Sequence, residues 1–189
     1  MQIEPTAIEG VWILTPRRHA DARGWFEESW NRDRMREAGF DLDWAQDNHS
    51  MSIAAGTVRG LHYQAPPRAQ AKLVRVLAGA ILDVAVDARE GSPSFGAHVA
   101  VELSAANGRQ LLIPEGFLHG FVTREPMTHV AYKCTDTWSP AHDGAVAWDD
   151  PDLAIDWGVD PAAAHLSDKD RAAPRWRDWT TPFRMGDRP

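Results

Sequence analysis

The chain has 189 residues, of which 43% are hydrophobic and 25% charged, and its formal net charge is −7. This length is typical of one domain with a substantial hydrophobic core, and the balance is that of an ordinary globular protein. The acidic excess argues against nucleic-acid binding through a broad basic face. It still allows a small phosphorylated ligand, because two or three local arginines suffice to hold a diphosphate.

A membrane segment is not expected, because no apolar run approaches the roughly 18 residues needed to span a bilayer. Residues 1–14 contain acidic side chains and no basic stretch, so they do not resemble a secretory signal. The single cysteine, Cys134, excludes an intrachain disulfide. We therefore expect a cytoplasmic protein that makes no membrane contact.

Short strand-like runs separated by turn residues dominate the chain. In chain order, the clearest are Val11–Leu14, Trp25–Trp30, Lys72–Leu77, Ile81–Asp87, Val99–Leu103, Gln110–Ile113 and His129–Cys134. In the fourth run every second residue is Leu or Val, and the residues between them, Asp83, Ala85 and Asp87, share the opposite face. Many short strands in a chain of this size predict a mainly β fold, a barrel or a double-sheet jelly roll.

Two short helices are predicted from their capping residues. Asn31 can cap a helix that continues to Ala38 and ends at Gly39. Further on, Ser167 and Asp170 match a capping box, and Pro174 stops the short helix that follows.

The chain shows no internal repeat, low-complexity tract or dividing linker, so we expect a single domain over residues 1–179. From residue 180 to residue 189 the periodicity is lost, which predicts a loose C-terminal tail. Most of the nine tryptophans are interpreted as core residues rather than as platforms for a ligand.

Two histidine-containing segments resemble the two motifs of cupins. The first runs from Gly56 to Gln64 and contains His62, and the second runs from Gly108 to His119. Both histidines are therefore expected to point into a cupin-type jelly-roll barrel. In metal-binding cupins a second histidine and then a glutamate follow the first histidine, but here Gln64 takes that place and no carboxylate follows nearby. An amide is a poor ligand and two histidines rarely hold a catalytic metal, so we predict no metal site.

Without a metal, these histidines are free for another task. The pKa of histidine lies near neutrality, which suits proton transfer. The alternative is that His62 and His119 are structural residues inside the barrel, and taken singly the two residues do not decide between these roles.

Ten short motifs occur in order along the chain. They are DARGWFEE (21–28), QDNHS (46–50), RGLHYQ (59–64), QAKLVR (70–75), DVAVD (83–87), GSPSFG (91–96), IPEGFLHGF (113–121), YKC (132–134), WDDP (148–151) and LSDKD (166–170). Together they resemble the dTDP-4-dehydrorhamnose 3,5-epimerase family from about residue 4 to residue 176. The number of motifs in register makes this resemblance far more specific than any one of them.

This resemblance implies a dTDP-linked 4-keto-6-deoxy sugar as substrate, with proton exchange at C3 and C5. The C4 ketone acidifies both positions, so no cofactor is expected. By resemblance His62 is the base, Asp170 orients it, and Tyr132 is the acid on the opposite face of the sugar. Lys72 and Arg59 would supply positive charge to the enolate oxygen.

The resemblance also implies a set of substrate-binding residues. Besides Arg59 and Lys72 they are Arg23, Glu28, Gln46, Asn48, His119, Asp143 and Lys169. Arg23 is expected to reach the site of a partner subunit, because the family forms homodimers by exchanging N-terminal strands. Asp143 stands where many members carry glutamate, and Thr137 stands where many carry a first aromatic ring before Trp138. These departures concern the contacts to nucleotide or sugar rather than the catalytic pair.

Each implied role has a structural alternative. Asp170 could serve only the capping box of Ser167, Tyr132 could be a core residue, and Lys72 could be a solvated strand residue. Three activities also stay open: epimerisation at both C3 and C5, inversion at only one of these centres, and nucleotide-sugar binding without catalysis. A metal-dependent cupin is disfavoured by Gln64.

Overall fold

The computed structural model describes residues 1–186 and is mainly β. Its strands are β1 (Gln2–Pro5), β2 (Trp12–Thr15), β3 (Arg18–Asp21), β4 (Gly24–Glu27), β5 (Gln46–Ser52), β6 (Val58–Gln64), β7 (Lys72–Ala78), β8 (Ala80–Asp87), β9 (Arg89–Glu90), β10 (His98–Ser104), β11 (Gln110–Ile113), β12 (Phe117–Thr123), β13 (Thr128–Cys134), β14 (Asp143–Ala145) and β15 (Phe183–Arg184). The helices are α1 (Arg32–Glu37) and α2 (Asp168–Arg171), with 3₁₀ turns at Pro161–Ala163 and Trp176–Asp178. Within this part of the chain, no helix has the length and apolar character needed to cross a membrane.

Two antiparallel sheets face each other and form the barrel. The first has six strands in the order β1-β2-β11-β7-β13-β5, and the second has five in the order β10-β8-β12-β6-β14. The cupin-type jelly-roll fold predicted from the sequence is thereby confirmed. Strands β3 and β4 form a separate hairpin that pairs with neither sheet.

Apolar side chains fill most of the space between the sheets. Val74 and Val130 project from the six-stranded sheet, and Ala85, Val101 and Phe121 from the five-stranded one. Burial of such side chains is the main force that holds the two layers together. The core therefore occupies one part of the barrel and leaves the rest open for polar residues.

Two further clusters cover the outer faces of the sheets. Met35 of α1 packs with Leu14, Leu73 and Leu112 on the six-stranded sheet. The segment from residue 146 to residue 183 covers the five-stranded sheet. Seven tryptophans belong to or pack against these two clusters: Trp12, Trp30, Trp44, Trp148, Trp157, Trp176 and Trp179. The interpretation of most tryptophans as core residues is confirmed.

Both predicted helices are present with their expected caps. The side chain of Asn31 accepts a hydrogen bond from the Arg34 amide at the start of α1. At α2 the hydroxyl of Ser167 accepts one from the Asp170 amide, and the helix ends before Pro174. The predicted strand Trp25–Trp30 is shorter than expected, because it ends at Glu27 and the chain then turns into α1.

Residues 180–186 do not form the loose tail that the sequence predicted. Phe183 is buried in the cluster on the five-stranded sheet, and β15 pairs in parallel with β9. The Thr181 hydroxyl also donates a hydrogen bond to the Ala88 carbonyl. One buried aromatic side chain and these hydrogen bonds anchor a segment that has no periodic pattern of its own. The rest of the predicted tail, residues 187–189, lies outside the described residues.

Candidate active site

A cavity of about 400 Å³ opens between the two sheets beside α2. An adjoining cleft of about 490 Å³ shares His62, Lys72, Tyr132 and Lys169 with it. The two spaces therefore form one continuous site, which runs from the barrel interior to the surface. Its walls hold every residue of the predicted catalytic set.

His62 and Asp170 form a hydrogen-bonded pair in this cavity. His62 Nε2 lies 2.5 Å from Asp170 Oδ1, and the side chains are 30% and 3% exposed, respectively. Burial favours the neutral acid, but the hydrogen bond and charge of His62, the Ser167 hydroxyl and Lys169 outweigh it and lower the pKa of Asp170. Because an ionised carboxylate only accepts, Nε2 is the donor and Nδ1 carries the free lone pair of the neutral ring.

Asp170 makes both contacts that the sequence suggested, one with the cap of α2 and one with His62. Its amide caps α2 through Ser167 at 3.1 Å, and its Oδ2 accepts a hydrogen bond from the Ser167 hydroxyl at 2.9 Å. The other oxygen is left for His62. A short capped helix therefore holds the carboxylate at a defined place against the barrel.

An irregularity in β6 brings Arg59 and His62 into the same cavity. Residues three apart point to opposite faces of a regular strand. Here the register of β6 against β12 shifts between the pairs His119–His62 and Phe121–Arg59. Gly60 lies at this shift with φ +137°, and a Cβ there would meet Gly120 Cα at 2.5 Å. The two backbones approach so closely that only glycine fits at this position. The bulge changes the direction of the neighbouring side chains, as bulges commonly do.

Tyr132 and Lys72 face these residues from the other sheet. They lie on β13 and β7, where Tyr132 pairs with Val74 and Cys134 pairs with Lys72. Burial raises the pKa of Tyr132, so the phenol keeps its proton at neutral pH. Burial lowers the pKa of Lys72, while nearby charges, including that of Asp83, oppose the shift.

His119 lies beside His62 on the neighbouring strand and also lines the cavity. Its Nε2 is 2.7 Å from Asp83 Oδ1, and both side chains are buried. Burial lowers the pKa of His119, and the charge of Asp83 opposes this. The two predicted barrel histidines thus both point into the lumen, each paired with a carboxylate.

The outer cleft holds the residues expected to bind the rest of the ligand. Gln46 donates to Asn48 Oδ1 at 2.9 Å, and Asn48 donates to Cys134 Sγ at 3.6 Å. Lys169 forms an ion pair with Asp143 across this cleft. Arg59, Lys72 and Lys169 thus bring three basic side chains to the site, beside the carboxylates of Asp143 and Asp170.

Arg23 and Glu28 are not brought to this site within one chain. The Arg23 side chain is 89% exposed at the tip of the β3–β4 hairpin, where it pairs with Asp21. Glu28 bonds to Asn31 and Arg34 at the start of α1. Within one chain, neither residue therefore makes the contact with the substrate site that the resemblance implied.

Gln64 has a structural role in place of the cupin metal ligand. Its amide donates to the carbonyls of Arg68 and Thr137, and its oxygen accepts from the Ser139 amide at 2.8 Å. The side chain thus ties together loops at one end of the barrel and turns no free donor atom toward a metal. Within residues 1–186, no group of three or more His, Cys, Asp or Glu side chains is arranged to hold a metal ion.

Sequence reasoning did not assign a role to Asp83 or Trp138. Asp83 is buried in contact with His119, and the presence of a carboxylate inside a largely apolar strand was the available signal. Trp138 is 60% exposed at the outer cleft, and its amide donates to Gln46. The available signal was the resemblance, because Trp138 stands where many family members carry the second of two aromatic rings.

Known proteins resemble this chain over nearly its full length. A family model described as dTDP-4-dehydrorhamnose 3,5-epimerase matches residues 5–178. A protein of that name from Pseudomonas aeruginosa is 47% identical over 179 residues, which cover 94% of this chain and 97% of the relative. A crystal structure of the Bacillus anthracis enzyme of that name, with TDP and PPi bound, has a TM-score of 0.89 at 46% identity and covers 92% of this chain and 98% of that one. The dTDP-6-deoxy-D-glucose-3,5-epimerase of Legionella pneumophila in complex with dTDP-4-keto-L-rhamnose has a TM-score of 0.93 at 42% identity and covers 99% of each chain.

Proposed function

Because the chain belongs to the dTDP-4-dehydrorhamnose 3,5-epimerase family, we propose that it epimerises dTDP-4-dehydro-6-deoxy-D-glucose at C3 and C5. The product would be dTDP-4-dehydro-L-rhamnose, an intermediate for deoxysugar synthesis. The observation that carries this proposal is a hydrogen-bonded pair of His62 and the buried Asp170 carboxylate that faces Tyr132 across one cavity. Inversion at carbon needs a base on one face and an acid on the other.

The proton transfers follow from these positions. Nδ1 of His62 takes the proton from the carbon beside the ketone, and the electrons of the broken C–H bond move into the C4 carbonyl to form an enolate. Asp170 stabilises the imidazolium that results. The Tyr132 hydroxyl then gives its proton to the same carbon from the opposite face, and the ketone reforms. Proton exchange with solvent then restores neutral His62 and protonated Tyr132.

The enolate oxygen needs positive charge as it forms. Lys72 and Arg59 flank the cavity from opposite sheets and can supply it. Arg59 is held by the Ser52 hydroxyl and the Met51 carbonyl, each at 3.3 Å. Such preorganised charge in a shielded site is commonly the largest contribution to catalysis. The nucleotide would extend through the outer cleft along Asn48, Trp138 and Lys169.

We also propose that the protein acts as a homodimer. The β3–β4 hairpin exposes Trp25 and Phe26 to 56% and 69%, and β5 is an unpaired edge of the six-stranded sheet. Exposed apolar side chains beside an open strand edge favour association with another chain. A partner hairpin would carry Arg23 toward the site. The single unpaired Cys134 agrees with a cytosolic setting, which we propose as well.

Solvent-deuterium exchange tests the activity directly. The purified protein is incubated with dTDP-4-keto-6-deoxyglucose in D₂O, and NMR reads the deuterium at each sugar carbon. Exchange with inversion at C3 and C5 supports the proposal, and exchange at one carbon identifies an epimerase of one centre. Binding without exchange would identify a nucleotide-sugar-binding cupin instead. The His62→Ala variant is the matched control for contaminating activity.

A further inference from the structure

Two histidines meet on the outer face of the six-stranded sheet. His49 lies on β5 and His129 on the neighbouring strand β13. His49 Nε2 is 3.0 Å from His129 Nδ1, and the two ring centroids are 5.1 Å apart. Neither ring lines the cavity or the outer cleft. The proposed proton transfers therefore leave this pair of imidazoles without a role.

The register of the two strands brings the imidazoles together. His49 pairs with Ala131 and Met51 pairs with His129, so the two histidines are diagonal neighbours. Ser50, between His49 and Met51, lines the cavity, so the residues on either side of it project outward. Diagonal neighbours on adjacent strands are within reach of aromatic side chains. The paired strands therefore hold both rings in place without any ligand.

The contact between the rings is a hydrogen bond that a metal ion can replace. One of the two near nitrogens donates the shared proton and the other accepts it. If the donor ring carries its proton on the far nitrogen instead, both near nitrogens present lone pairs and both rings stay neutral, which is the form that binds metals. His49 is exposed and His129 is half-buried, so the rings have room to turn both lone pairs toward one point.

The distance between the nitrogens matches two adjacent ligands of one metal ion. At metal–nitrogen distances of about 2.0–2.1 Å, a separation of 3.0 Å corresponds to an angle of about 90–100° at the metal. Neighbouring ligands make such an angle in the tetragonal sites of Cu(II) and Ni(II), whereas a tetrahedral Zn(II) site needs about 109°. The geometry therefore favours a tetragonal ion.

The surroundings of the pair favour copper among these ions. Met51 stands directly opposite His129 and its side chain is 40% exposed, so a thioether lies on the same face as the imidazoles. Copper sites often add a thioether as a weak axial ligand, and Cu(II) binds nitrogen ligands more tightly than Ni(II) or Zn(II). Asp47, on the same face, is engaged by Lys133. Within residues 1–186 no third His, Cys, Asp or Glu joins the two histidines, so water would fill the other positions.

We propose that His49 and His129 form a surface site that binds one Cu(II) ion per chain through His49 Nε2 and His129 Nδ1. Because β5 is the edge strand of its sheet, an ion held by both side chains would fasten this edge to β13. The site lies on the opposite face of β13 from Tyr132. It is independent of the proposed function, and turnover does not require it.

Copper titration of the untagged, metal-free protein tests the site. Isothermal titration calorimetry should give one Cu(II) ion per chain, bound more tightly than Ni(II) or Zn(II). His49→Ala and His129→Ala should each weaken binding at least about tenfold, because even the loss of a group that only supports a metal ligand costs roughly 10–100-fold. His19→Ala is the matched control, since His19 is an exposed histidine on β3 that pairs with Phe26 rather than with a second histidine. Its affinity for Cu(II) should equal that of wild type.

Pulsed electron paramagnetic resonance of the copper-loaded protein counts the bound imidazoles, because their remote nitrogens modulate the electron spin echo. Wild type should show two imidazoles and each of the variants at positions 49 and 129 only one. One imidazole or none in wild type would overturn the proposal, even if a variant does not fold. Equal affinity in wild type and both variants, or an equal loss in His19→Ala, would overturn it too. Tighter binding of Zn(II) than of Cu(II) would overturn the assignment of the ion.

Discussion

Replacement of Asp170 by asparagine tests the base assignment most directly, because it removes one charge and changes little volume. At an effective dielectric constant of about 20, two unit charges about 4 Å apart interact by about 4 kcal/mol. His62 is 30% exposed, so solvent screens part of the attraction. About 3 kcal/mol of stabilisation of the imidazolium would then be lost, which corresponds to roughly 100-fold in rate.

The loss should be larger if the amide also changes the tautomer of His62. An asparagine NH₂ group facing Nε2 would donate to it and move the ring proton to Nδ1, which could then no longer act as base. In a hydrolytic triad the same kind of substitution costs about 10⁴ in kcat. We therefore expect kcat for Asp170→Asn to fall roughly 10²–10⁴-fold, with little change in KM.

The assay is deuterium incorporation at C3 and C5 under saturating substrate, read by NMR. Ser167→Ala is the control, because it removes a hydrogen bond to Asp170 but keeps the carboxylate. It should cost about 1 kcal/mol of stability through the lost cap and less than about tenfold in rate. In the His62→Ala background, Asp170→Asn should add little, as for residues that act as a unit. If Asp170→Asn alone stayed within about threefold of wild type, the reasoning would be refuted.

Four further outcomes are expected. Tyr132→Phe should block inversion but keep some exchange, because His62 can still take a proton and return a deuteron to the same face; complete loss of exchange would contradict the two-face assignment. Arg23→Ala should raise KM more than it lowers kcat, and mixing it with His62→Ala at limiting substrate should restore activity through mixed dimers that contain one intact site. No restoration on mixing, or a fully active monomer by light scattering, would disprove the exchange between subunits. Exhaustive chelation should leave turnover unchanged, and recovery that required a divalent ion would show a metal enzyme. Burial opposes ionisation of Asp87, but hydrogen bonds from Arg89, Ser92 and Ser94 lower its pKa from 3.8 to about 2. Because the pKa of Asp87 is lower in the folded than in the unfolded protein, its carboxylate contributes about 2 kcal/mol to the free energy of unfolding above pH 4. This contribution is lost as the pH falls toward 2. Denaturant unfolding of Asp87→Asn should therefore show a flatter pH dependence in that window than wild type, and an equal slope would exclude the contribution.

Local features of the sequence were enough to predict much of the molecule. Asn31 and Ser167 mark the starts of both helices, and alternation marks β8, because caps and side-chain periodicity act over a few residues. The motifs around His62, Lys72 and Tyr132 pointed to residues that the structure does bring to one cavity. Their chemical roles remain proposals.

Other features depended on long-range packing. The alternation in β8 placed Asp83 and Leu82 on opposite faces of the strand. It did not show that the face with Asp83 is the one that points into the barrel. His62 and Asp170 form a hydrogen bond although they are 108 positions apart in the sequence. Arg59 shares its cavity only because the register of β6 shifts against β12.

The difference between local and long-range interactions also explains the predictions that the structure corrected. Residues 180–186 pack against the barrel because Phe183 is buried in a cluster built by distant strands. Glu28 was expected among the ligand-binding residues, yet within one chain it bonds to Asn31 and Arg34 at the start of α1. Sequence patterns record the preferences of neighbouring residues, whereas strand register, bulges and the contacts between distant segments are decided only when the whole chain packs.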